Sequence, residues 1–200
     1  MMNRTIVLIA VVLATTVSAA QDSKGTLRDV VRRQAPAPVL QTRQRELYPE
    51  PLEKMIPQAD VVIHGVVTTA QSYLSSDERD VFTDYTVTPI RVLYQRPSQA
   101  GRPVALKTVT VKRWGGKVTI DGVPVTLQDL DLPQFQDGDE LFLVLLLDKA
   151  DGKYRLPSPV SGAFRAQNGK IQPLVSHPTY EGLRGLSIDE LQSLTNRLHR

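Results

Sequence analysis

The sequence predicts a mainly β protein: a small coiled antiparallel β-barrel with a short helix before it and a C-terminal amphipathic helix. Three observations carry that expectation. The first is the run at 81–94, VFTDYTVTPIRVLY, the longest stretch of strand-forming residues. Strand side chains alternate with period two, so Val81, Thr83, Tyr85 and Val87 point one way and Ile90, Val92 and Tyr94 the other. Pro89 stands where the parity changes, and a residue with no N–H to give a ladder belongs at an edge or a bulge. One long strand bent at Thr88 and Pro89 would coil its sheet. The second observation is a pair of hairpins with two-residue turns. Asp121-Gly122 sets Ile120 opposite Val123, Thr119 opposite Pro124 and Val118 opposite Val125; Asn168-Gly169 sets Gln167 opposite Lys170, Ala166 opposite Ile171, Arg165 opposite Gln172 and Phe164 opposite Pro173. Each hairpin is expected to leave a sheet edge at its proline-bearing second strand. The third is LFLVLLL at 141–147, which has no polar parity and therefore reads as a strand covered on both faces.

The elements follow in chain order. Residues 1–20 carry Arg4, an apolar run from Ile6 to Ala14, and a small-residue end at Val17, Ser18, Ala19 and Ala20, the pattern of a secretory signal peptide cleaved after Ala19 or Ala20. The run is shorter than the roughly 20 residues that span a bilayer, so no membrane span is expected after cleavage. Residues 21–50, with an Ala-Pro-Ala-Pro tract and scattered arginines, read as a flexible linker because they bury too little apolar surface to offset ordering. The domain is expected over 51–200. Pro51 opens a short helix lined by Leu52, Met55 and Ile56 and ended by Pro57. A strand follows from Val61 to about Ser72, with Gly65 marking a bend. A further strand is expected at 104–114, of mixed parity. At the end, Ser187 and Glu190 form a capping box for a helix over 187–199, with Ile188, Leu191, Leu194 and Leu198 in one stripe.

Composition narrows the function classes. The formal charge is +3, of which the leader holds only Arg4, and a remainder of +2 gives no concentrated basic face for nucleic acid. The chain has no cysteine, so an exported protein of this kind has no disulfides and no thiol chemistry. That fits a secreted or periplasmic bacterial protein held together by its core.

Candidate chemistry is sparse. The histidines are His64, His177 and His199, with no two at a metal-binding helical spacing. His64 reads as a half-buried strand residue, His177 as a loop residue before Pro178, His199 as a helix end. The carboxylates Asp129, Asp131, Asp137, Asp139 and Glu140 lack the spacing of a calcium loop and suit turns better. Ser161-Gly162 lacks the full nucleophile elbow. No glycine loop for phosphate occurs, and neither a metal nor a cofactor is expected. One basic cluster has aromatic interleaving: Lys107, Lys112, Arg113 and Lys117, with Trp114 and Tyr94. Lys112, Arg113, Trp114 and Tyr94 are the candidate ligand-binding residues, because a face of this kind on a small barrel binds sugars or single strands by stacking. The alternative is a solvated face with the tryptophan closing the end of the barrel.

The order Ala59-Asp60-Val61-Val62 with Gly65, Gly115-Gly116, Leu132-Pro133-Gln134-Phe135, Gly138-Asp139-Glu140 and Gly162-Ala163-Phe164 resembles uncharacterised exported bacterial proteins over about residues 51–175. The resemblance implies a small all-β domain of OB-like or netrin-like type and carries no activity. The netrin-like metalloprotease inhibitors use an N-terminal cysteine, which this chain lacks. The expected function is an exported, non-enzymatic binding or interaction module for a protein or glycan, of open oligomeric state. The competing expectation is a metal-dependent or other hydrolase using His64 or His177 with the carboxylates at 129–140.

Overall fold

The computed structural model describes residues 25–44, 48–97 and 105–199; the leader and the start of the expected 104–114 strand lie outside them. The described chain is mainly β. Helix α1 (Leu27–Gln34) and strand β1 (Val39–Arg43) precede helix α2 (Leu52–Met55), which runs on as a 3₁₀ turn over Ile56–Gln58. Then come β2 (Val61–Leu74), β3 (Val81–Gln95), β4 (Val109–Trp114), β5 (Gly116–Ile120), β6 (Val123–Asp129), β7 (Glu140–Leu147), β8 (Tyr154–Arg155), β9 (Ala163–Gln167) and β10 (Lys170–Pro173). A 3₁₀ segment, Pro178–Leu183, leads to helix α3 (Ile188–Leu198).

Seven strands pair in the order β10-β9-β7-β2-β3-β4-β8, and β8 pairs with β7 as well. The pairing therefore returns on itself through β7, β2, β3, β4 and β8. β4 and β8 are parallel, whereas every other pair of that circuit is antiparallel. The coiling comes from the long β2–β3 ribbon. Its register jumps between Val62 and Ile63, between His64 and Gly65, and between Val67 and Thr69, so that Ile90 and Leu93 on β3 and Thr68 on β2 have no direct partner. Extra residues of this kind bend a strand and increase its twist. Gly65 pairs with Pro89 at the bend, where a Cβ would lie 2.8 Å from the Thr88 carbonyl oxygen and 2.9 Å from Val87 Cγ1.

The bend sits where the sequence places it, but the parity beyond it differs. Ile90 and Val92 are 59% and 39% exposed, and Leu93 is buried. Two bulges rather than one change of phase separate Val87 from Tyr94, so Leu93 returns to the buried side. Past Val87, β3 has no strand on its outer edge. There Gln192 of α3 donates to the Leu93 carbonyl at 2.9 Å, and Arg91 meets Asp189 at 2.5 Å.

β7 is covered on both faces, as a run without polar parity requires. Leu141, Leu143 and Leu145 pack with Val61, Ile63, Tyr85 and Val111 in one cluster; Phe142 and Val144 join Met55, Phe164, Tyr180 and Leu191 in another, beneath α2 and α3. α3 begins as its capping box predicts: the Ser187 N–H donates to Glu190 Oε2 at 2.7 Å, and the Glu190 N–H to Ser187 Oγ at 3.2 Å. The Ser187 N–H and hydroxyl, both donating to Glu190 Oε2, hold the Glu190 carboxyl below its usual range.

Both hairpins have the register that their turns dictate. The edge expectation fails for the first. β6 is the middle strand of a three-stranded sheet, β1-β6-β5, and β1 pairs with it from Val125 onward, one residue past Pro124 and its missing N–H. The linker read over 21–50 is corrected over 27–43 by the same feature. α1 and β1 bring Leu27, Val31 and Val39 onto Val81, Ile120, Val123, Val125 and Leu127. The hairpin's apolar face needed a cover, and composition hid that the cover was upstream. Thr26 and Asp29 cap α1 reciprocally. Arg28 then bridges Glu78 of the β2–β3 loop at 3.1 Å and Asp121 of the hairpin turn at 2.5 Å. Among the described residues no helix is long and apolar enough to cross a membrane.

Candidate functional site

The alternation of β3 and β4 decides which side chains meet outside the sheet. On β4, Val109, Val111 and Arg113 are buried and Lys112 and Trp114 lie on the other face; on β3, Phe82 and Asp84 face outward. Register places Phe82 beside Tyr73 of β2 and Trp114 of β4, and Asp84 beside Lys112. The turn at 148–153 brings Asp151 and Lys153 over this face, and β8 adds Arg155 at its margin. That turn is tied by the Ala150 N–H to Asp148 Oδ1 at 2.9 Å and the Lys153 N–H to Asp151 Oδ1 at 3.0 Å.

Cations stand over the rings. Lys112 Nζ is 4.8 Å from the Phe82 centroid, Lys153 Nζ 4.9 Å from Tyr73, and the Arg43 guanidinium 5.4 Å from Trp114. Each lysine also has a carboxylate: Lys112 donates to Asp151 at 3.1 Å and Lys153 to Asp84 at 2.5 Å. Those bonds raise both lysines above their ordinary pKa, and the Lys153 N–H, then Lys112, hold the Asp151 carboxyl below its usual range. Two adjoining pockets open here. One of about 260 Å³ is bounded by Phe82, Lys153 and Asp148; the other, of about 210 Å³, by Leu132, Leu156, Pro157 and Pro159; Lys112, Trp114 and Arg155 line both.

The four residues singled out from the sequence have separate fates. Lys112 and Trp114 sit at the centre of the groove. Trp114 is also structural, since its Nε1–H donates to Asp80 at 2.6 Å and its ring packs on the cluster beneath α1. Arg113 turns inward, donating to the Pro133 carbonyl at 2.9 Å with its guanidinium 4.2 Å from the Phe135 centroid. Burial holds its pKa below the ordinary value, against the pull of Tyr85 and Asp129. It lines the smaller pocket but closes the end of the inner cluster. Tyr94 is elsewhere: its ring stacks on His199 at the end of α3, centroids 3.4 Å apart and 9° from parallel. The bulges at Ile90 and Leu93 carry it to the helical side of the sheet. His199 is thereby packed, not frayed as its terminal position suggests.

Of the residues of the hydrolase expectation, the structure pairs His64 with one carboxylate of the 129–140 stretch, Glu140, and places His177 apart from them. His64 is buried with Nε2 2.6 Å from Glu140 Oε1, and His177 caps the 3₁₀ segment by accepting from the Thr179 N–H at 3.2 Å. Asp139 takes the Gln136 N–H and Arg165, and Asp129 the Asp131 N–H, as turn carboxylates do. Among the described residues no three His, Cys, Asp or Glu side chains group to hold a metal. Ser161 is buried and accepts the Glu50 N–H at 2.9 Å. Sequence reasoning missed Tyr73, Phe82, Asp151, Lys153 and Arg155. Phe82 and Tyr73 were recoverable from the β2–β3 loop register, but a two-residue β8 leaves no periodic signal. No family model matches this chain, and neither does any curated protein.

Proposed function

We propose that the protein is an exported, non-enzymatic binding module on a coiled OB-like barrel, and that its ligand lies in the groove on the β3–β4–β8 face. The circuit β7-β2-β3-β4-β8, closed by one parallel pair, supports the barrel reading, since OB folds are five-stranded Greek-key barrels that bind on one strand face and its loops. The observation that carries the function is the joined pair of pockets lined by Lys112, Trp114 and Arg155. Their lysines are already matched to carboxylates, which suits recognition of a shaped, nearly neutral ligand over a polyanion. The leader pattern supports export.

The test uses Trp114 as its reporter, because it is the chain's single tryptophan. A thermal-shift screen of the protein against glycans and peptides should find a class that raises Tm by mass action and shifts Trp114 emission. Lys112→Glu should abolish both effects while retaining the fold. Binders whose affinity is unaffected by Lys112→Glu would place the site elsewhere and end this reading.

A further inference from the structure

We infer that the smaller pocket takes the C-terminal carboxylate of an apolar peptide, with Arg155 as its counter-ion; this rests on the groove being the binding site proposed above. The charges around the groove are unequal. Lys112 and Lys153 are engaged by Asp151 and Asp84. Arg113 is buried against Pro133 and Phe135. Arg155 is exposed and lines both pockets, and its guanidinium forms no ion pair or hydrogen bond among the described residues. A guanidinium presents a planar fork that matches a carboxylate, and such charge-assisted bonds are the strong ones.

A second polar group points to the same ligand. Ser158 lines this pocket, and its Oγ is enclosed without a hydrogen-bond partner among the described residues. An enclosed hydroxyl left unpaired costs free energy, which a ligand oxygen would recover once a rotation of Ser158 turns the hydroxyl toward the pocket. The other walls are Leu132, Leu156, Pro157 and Pro159 with Trp114, and Lys112, Arg113 and Asp129 complete them. A largely apolar chamber with the Arg155 guanidinium at its open side is the complement of an aliphatic side chain beside a carboxylate. At about 210 Å³ the chamber is below the roughly 300–1,000 Å³ of drug-sized sites, which suits one terminal residue. Capture of a C-terminal carboxylate is an established mode of peptide recognition.

Other ligands fit less well. Arg43 and Lys112 already stand over Trp114 and Phe82, so a sugar has less ring face on which to stack. Asp129, Asp148 and Asp151 line the groove, so a chain of negative charges is repelled where a single carboxylate at Arg155 is not.

The experiment titrates the protein with acetyl-Gly-Ala-Leu as the free acid and as its C-terminal amide, following Trp114 emission. The acid should bind at least about tenfold more tightly than the amide, the effect of losing one hydrogen-bonded charge. Arg155→Gln should erase that preference, and Arg165→Gln, distant from the pocket, should keep it. Equal binding of acid and amide, or a preference that survives Arg155→Gln, overturns the inference. If neither peptide binds but a glycan shifts Trp114 and loses its effect in Lys112→Glu, the inference falls while the groove reading stands. If no peptide or glycan shifts Trp114, both fall.

Discussion

Replacing Val31 by Asp should release the N-terminal helix without unfolding the sheet behind it. Val31 is 1% exposed and packs with Leu27 and Val39 on the β5–β6 hairpin. Burying a side chain of this size contributes about 1.5–3 kcal/mol. A carboxylate at that place would have to be desolvated without a partner, so the helix leaves instead of carrying it inside. The cost is thus limited to the docking free energy of 27–43, which Val31 shares with Leu27, Val39, the β1–β6 ladder, the Leu27 N–H bond to the Glu78 carbonyl at 2.7 Å, and the Arg28 bridges. Losing the Val31 share lowers the docking constant by a factor of roughly 10 to 100 at about 1.4 kcal/mol per tenfold. Trypsin reads this directly, because Arg32 and Arg33 become substrates when the helix opens, and cleavage tracks the open population when reclosing is fast. The rate at these sites should rise by that factor, with the main thermal transition retained. Leu40→Asp, at a residue 50% exposed on β1, should leave the rate near wild type. If the wild-type sites are cut as fast as in an unfolded peptide, or if both variants accelerate cleavage equally, the segment is not docked as described.

Two more outcomes follow from the opposite face. Leu191→Ala empties a fully buried position under α3 and should cost about 2–5 kcal/mol, read as a lower urea midpoint at unchanged m; a loss under about 1 kcal/mol would mean that α3 contributes little packing. Burial holds the His199 imidazole below its ordinary 6.5, with Arg96 adding to the effect. The unfolded chain therefore takes up the proton first, so this contribution is full above about pH 6.5 and is lost as pH falls toward the folded value. His199→Phe, which keeps a ring on Tyr94, should flatten the stability slope between about pH 5 and 7; an NMR titration placing folded His199 at or above 6.5 would refute the sign.

What the sequence made legible was local. The Asp121-Gly122 and Asn168-Gly169 turns require φ > 0, and the observed values at those positions are positive, so their registers could be written residue by residue. The run at 141–147 declared its double cover, and Ser187 with Glu190 declared the start of α3. Failures came where a partner is distant. α1 and β1 look polar because only Leu27, Val31 and Val39 of the stretch are buried, and their face is completed by a hairpin about ninety residues on. The groove was half legible for a related reason. Lys112 and Trp114 are two residues apart on one strand face, whereas Lys153 and Arg155 reach them only through the fold. Tyr94 was misplaced because two bulges, not one proline, set its side.

The circuit of strands closes through β8, which is only Tyr154–Arg155 and touches β4 at a single register pair, Val111 with Tyr154. The ring accordingly has a parting line. With so few backbone bonds across it, this seam should exchange its amide hydrogens sooner than the β2–β3 ribbon and yield first under load. Arg155 sits on that seam, so a ligand held there as proposed would also tie β8 to β4, and its binding would show as slower amide exchange across the seam.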